Sequence, residues 1–134
     1  MKIVLDTNVL VSSILSPNGP PAAVLRTLLT ERVRLCFDER IVSEYRDVLS
    51  RTKFSFDPVL VDELISFLES AGSPTLAAPQ ALELPDPWDQ MFIEVAVAGG
   101  ADFLVTGNLK HFPEGSRSGV QVVSPREFLD ALLA

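Results

Sequence analysis

The chain has 134 residues, of which 47% are hydrophobic and 22% charged, a balance that excludes disorder and a low-complexity tail. At this length about two-thirds of the unfolded surface can be buried, so one core forms without disulfides, and a single domain over residues 1–134 is the expectation. No apolar run approaches the ~18 residues of a membrane span, since Glu94 and Asp102 interrupt the longest candidate. Eleven lysines and arginines face 18 acids, giving a net charge of −7, and no basic block occurs, which argues against nucleic-acid binding by charge alone. The stretch Met1–Asp6 meets an acid too early for a signal peptide. The lone Cys36 has no internal disulfide partner; together these predict a cytoplasmic protein.

Strand and helix patterns alternate along the chain. Lys2–Leu5 is a short β-branched run that stops at Asp6, the pattern of a buried strand. Val9–Ser16 predicts a short helix ended by Pro17-Asn18-Gly19-Pro20. Pro21–Thr30 predicts a second helix, with Ala22, Val24, Leu25, Leu28 and Leu29 at helical spacing and proline in its first turn. Val33–Phe37 reads as the next strand. Asp38 then caps a helix over Glu39–Ser50, whose inner face is Ile41, Val42, Tyr45, Val48 and Leu49. Asp57-Pro58 opens a helix to about Ala71, and Gly72 to Pro85 is a proline-bearing loop with room for a short turn at Ala77–Ala81. Asp86-Pro87-Trp88-Asp89 starts a helix that ends near Gly99-Gly100. Phe103–Thr106 and Val120–Val123 are strands, and Ser124 caps a closing helix over Pro125–Leu133. Strands separated by helices imply right-handed crossovers, hence a three-layer α/β/α domain around a parallel sheet of four to five strands.

A parallel sheet aligns the C-terminal ends of its strands along one edge, where ligands of such folds bind. Asp6 ends the first strand there, and Thr106-Gly107-Asn108 follows the third. Glu44 lies on the second turn of a helix that starts at that edge, and the Asp86–Asp89 helix start belongs at it too. The expected pocket therefore holds Asp6, Glu44, Asp89 and Asp86, with Asn108 beside them. Carboxylates ~5 Å apart repel by about 3 kcal/mol per ionised pair at an effective dielectric of 20, so the cluster takes up protons or a cation. Oxygen ligands without His or Cys favour Mg²⁺ or Mn²⁺, which also supply the positive charge that phosphate chemistry needs. Each residue has a plainer role as well. Asp86 can be a helix cap, Asp89 can close a capping box, Glu44 can be an exposed helix acid, and Asn108 a turn residue. His111 reads as a half-buried packing residue, and Trp88 and Cys36 as core.

The blocks Ile3-Val4-Leu5-Asp6-Thr7-Asn8-Val9-Leu10, Ser43-Glu44, Asp86 to Ala96, and Leu104 to Phe112, in this order and closed by Val123 to Leu129, resemble PIN-domain ribonucleases, in particular the VapC-like toxins of prokaryotic toxin–antitoxin pairs. The resemblance implies a Mg²⁺- or Mn²⁺-dependent endoribonuclease that leaves 5′-phosphate and 3′-hydroxyl ends. It places the family's metal-binding acids on Asp6, Glu44 and Asp89, with Asp86 a weaker candidate and Asn108 at a fourth polar position. Where relatives often carry a further Asp, this chain has His111. The resemblance also implies an RNA substrate, a small cognate antitoxin seated over the helices of residues 8–71, and a homodimer. Two other readings fit parts of the pattern. One is a catalytically silent PIN-like binding or scaffold module. The other is a haloacid-dehalogenase-like phosphatase, whose second acid two residues after the first is replaced here by Asn8.

Overall fold

The structure, a computed structural model, describes residues 1–134. Five parallel strands form one sheet in the order β3-β2-β1-β4-β5, where β1 is Lys2–Leu5, β2 Arg34–Phe37, β3 Ser73–Pro74, β4 Phe103–Val105 and β5 Val122–Val123. Six α-helices accompany it: α1 Thr7–Leu15, α2 Pro20–Leu29, α3 Glu39–Leu49, α4 Pro58–Ala71, α5 Gln90–Gly99 and α6 Pro125–Leu133. Successive residues of a strand point to opposite faces, and Ile3, Val4 and Leu5 are all fully buried. Both faces of the central strand are therefore covered, as the α/β/α expectation requires. The core is one cluster of 27 buried residues that includes Phe92, Phe112 and Phe128. No helix is long and apolar enough to cross a membrane.

The predicted elements reappear with ends shifted by a residue or two, except that the helix predicted from Asp86–Asp89 opens with a 3₁₀ turn over Pro87–Asp89 and becomes α5 only at Gln90. Two expectations fail in the long loop. Ala77–Ala81 forms no turn and no regular element, and the Gln80 N–H donates to the Glu94 carboxylate at 2.8 Å. The fifth strand, β3, also lies in this region and pairs with β2 through Cys36↔Ser73 and Phe37↔Pro74. Two residues, one of them proline, carry no strand periodicity, and proline is tolerated because β3 is an edge strand. Gly72 allows the approach: a Cβ there would stand 2.7 Å from the carbonyl oxygens of both Leu35 and Leu68.

The order β2-β1-β4 makes the β1/β4 boundary the switch point, where successive connections leave in opposite directions and a crevice opens at the C-terminal edge. The ladder continues past the strand ends there, with Asp6 N–H donating to Val105 O and Thr106 N–H to Val123 O, both at 2.9 Å. Tyr45, fully buried on α3, donates its hydroxyl to Leu5 O at 2.5 Å. That bond fixes α3 against the end of β1 and so sets the height of its neighbour Glu44.

Candidate functional site

Asp6 occupies the N-cap position of α1, yet its side chain makes no capping bond. It accepts instead from the Thr106 hydroxyl at 2.8 Å, and Thr106 accepts from the Asn108 N–H at 3.1 Å. The first strand end is thus tied to the fourth. Asn8 adds a second tie, its side-chain oxygen accepting from Gly107 N–H at 3.2 Å. Glu44 accepts from the Thr7 hydroxyl. Asp89 ends the 3₁₀ turn Pro87–Asp89, which Asp86 caps by accepting from Trp88 N–H at 3.0 Å. Proline and the cap fix this turn locally, and α5 follows without a break.

Asp6, Glu44, Asp86 and Asp89 line one cleft of about 390 Å³. Asp6 and Asp89 are buried, at 5% and 9% exposure, while Asp86 is exposed. Burial pushes the Asp6 carboxyl above its ordinary value; the Thr106 hydroxyl opposes the shift and Glu44 adds to it. Asp89 is pushed up to about 7, first by burial and then by Asp6 and Asp86, with His111 opposing. The Asp89 Oδ2 atom is buried without a hydrogen-bond partner. His111 Nδ1 stands 3.4 Å from it, which is an electrostatic contact and too long for a good hydrogen bond.

Thr7, Thr106 and His111 contribute to this site beyond the acids that the sequence singled out. Thr7 follows Asp6 at the end of the first strand and Thr106 closes the predicted strand Phe103–Thr106, positions that the sequence places at this edge without showing their hydrogen bonds to the acids. His111 is a correction: it faces Asp89 in the cleft and is not simply packed. Arg51 also lines the cleft and pairs with Asp47 at 3.4 Å. Asn108 does not line the cleft; its side-chain oxygen accepts from Lys110 N–H at 3.2 Å and caps a 3₁₀ turn. Trp88 is the second correction. It is 80% exposed on the 3₁₀ turn that precedes α5, whereas Cys36 is buried as expected.

No trio of acid, His or Cys side chains forms a ready-made metal cage. That agrees with the habits of Mg²⁺, which is held by one or two carboxylates together with water and substrate phosphate. The buried, partnerless Asp89 Oδ2, the crowded acids and the all-oxygen donor set fit such an ion.

These features define an α/β/α domain with an acidic cleft at the switch point of its sheet. The PIN domain family model matches residues 2–110, and the chain belongs to the PIN domain family. Among solved structures, VapBC2 from Rickettsia felis, bound to a promoter DNA fragment, is similar with a TM-score of 0.62 at 16% identity, over 92% of this chain and 98% of that one. VapBC-1 from nontypeable Haemophilus influenzae gives 0.61 at 17% identity, over 94% and 99%. FitAB bound to a DNA fragment gives 0.56 at 20% identity, over 92% and 94%. At such identities the likeness is one of fold. A comparison with curated proteins finds no match.

Proposed function

We propose that this chain, as one domain, is a metal-dependent endoribonuclease and the toxin component of a toxin–antitoxin pair, acting in the cytoplasm. The observation that carries the reading is the partnerless, buried Asp89 Oδ2 beside Asp6 in a cleft of acids. Mg²⁺ or Mn²⁺ bound there supplies Lewis acidity toward a phosphodiester oxygen and acidifies water. Asp6 and Asp89 would hold the ion, with Asp86 a weaker candidate. Glu44, partnered by the Thr7 hydroxyl, either adds a ligand or orients the attacking water. Water adds to phosphorus and the P–O3′ bond breaks, leaving a 5′-phosphate and a 3′-hydroxyl. The backbone N–H of Asn108 supports the Thr106 hydroxyl that in turn holds Asp6, and its side chain, which caps the following 3₁₀ turn, fixes that backbone.

The solved neighbours in the VapBC and FitAB complexes support a small antitoxin as partner. So do Val59 and Leu60 on α4, 64% and 62% exposed, and Leu15 at the end of α1, 56% exposed, which leave apolar surface over the predicted docking region. The test is digestion of total cellular RNA by the purified protein with Mn²⁺, mapping new ends. Cleavage that is lost on chelation and in Asp6→Asn, with 5′-phosphate ends, is the expected result. Equal cleavage by Asp6→Asn overturns it.

A further inference from the structure

Beside the acidic cleft lies a larger cavity of about 680 Å³, lined in part by Trp88, Pro87, Met91 and Arg40. Glu44 lines both spaces, so the cavity continues from the proposed reaction centre. Its charge is unsuited to a phosphate. Arg40 is the one cation that lines it, against the acids Glu44, Asp47 and Glu94, and Arg40 is already paired with Glu94 at 2.7 Å and Asp38 at 2.8 Å. What the cavity offers is an aromatic face: Trp88 is 80% exposed and sits between Asp86 and Asp89 on a turn fixed by Pro87 and the Asp86 cap. A large indole held open to solvent on a rigid turn loses little conformational freedom on binding a flat partner. Unpaired nucleobases stack on such faces, and this contact needs no positive charge.

We infer that Trp88 is the stacking platform for one unpaired base of the RNA next to the cleaved phosphodiester, and that single-stranded segments are selected in this way. The inference rests on the nuclease reading for its substrate but has its own readout, because Trp88 is the chain's one tryptophan and its fluorescence reports this position alone. An acidic protein that cannot hold RNA by phosphate neutralisation obtains its grip here from stacking.

The test uses the Asp6→Asn protein in Mg²⁺, titrated with single-stranded hexamers A6, U6 and C6 and with a hexamer of abasic ribose phosphates. The expected result is saturable quenching by the base-bearing hexamers at concentrations about tenfold below those needed with the abasic one. Equal quenching by the abasic hexamer, or none by any hexamer, overturns the inference; the latter would leave Trp88 as a contact for a protein partner. In the wild-type enzyme, Trp88→Ala should raise KM about tenfold with kcat within about twofold, and Trp88→Phe should recover most of the loss. A fall in kcat at unchanged KM overturns it as well. Quenching without any RNA cleavage by the wild type would uphold stacking while removing the nuclease reading. Cleavage without quenching would do the reverse.

Discussion

Asp89 and Glu94 stand five positions apart at the start of one helix, both buried, at 9% and 5% exposure, and the protein treats them in opposite ways. Glu94 is fully served: Arg40 pairs with it at 2.7 Å, the Gln80 N–H donates at 2.8 Å, and the Gln90 amide approaches at 3.3 Å. Asp89 is left with a partnerless oxygen, and burial, reinforced by Asp6, Asp86 and Glu44, raises its pKa to about 7. A buried charge that is paired and hydrogen-bonded serves the fold, whereas one crowded by like charges is costly until a proton or a cation neutralises it. Glu94 clamps the long loop and α3 to α5. Asp89 clamps nothing, and its Oδ2 atom is left free.

The widest separation between the two acids should appear in catalysis. Asp89→Asn, like Asp6→Asn, is expected to lower metal-dependent RNA cleavage by about a hundredfold or more, measured on a defined single-stranded RNA. Glu94→Gln should keep most of it. Stability should separate them in the other direction. Glu94→Ala leaves the Gln80 N–H without its acceptor and Arg40 with Asp38 alone, and should cost about 1–3 kcal/mol, a figure reduced because Arg40 is half exposed and keeps one partner. Asp89→Asn should be neutral or stabilising in metal-free buffer, read from urea denaturation of both variants.

The pH dependence sharpens the contrast. The folded-state pKa of Asp89 lies above its ordinary value, so the native state binds more protons than the unfolded chain between about pH 4 and pH 7. The stability this contributes is complete below the ordinary carboxylate range and is lost as pH rises through about 7. Metal-free Tm should therefore fall across that window, by about 5 °C. Asp89→Asn should remove this part of the slope, and Mn²⁺ should restore more at pH 8 than at pH 5, by differential scanning fluorimetry. The smallest effect should come from His111, which opposes the rise of Asp89. His111→Ala should lower activity at pH 7 about two- to fivefold and move the pH profile upward.

Much of this geometry was legible in the residues. The β-branched run ending in Asp6 and the Asp86-Pro87 helix start carry strong local signals, and parallel topology then brings their ends to one edge. Local signals fail where tertiary contact decides. Two-residue β3 exists only because Gly72 lets the chain touch β2. The hydrogen bonds from Thr7 and Thr106 to the acids depend on strand register, which no short pattern encodes. Large aromatics are usually core, and no local pattern shows that Trp88 stands 80% exposed on its turn. His111 is half-buried as expected, but its place beside Asp89 is set by a 3₁₀ turn after β4, far from Asp89 in sequence.

Manganese uptake, followed by electron paramagnetic resonance at pH 7.5 in the wild type, Asp89→Asn and Glu94→Gln, bears most directly on the cation site. Binding by the wild type and by Glu94→Gln, with loss in Asp89→Asn, is the predicted result. Undiminished uptake by Asp89→Asn would contradict it.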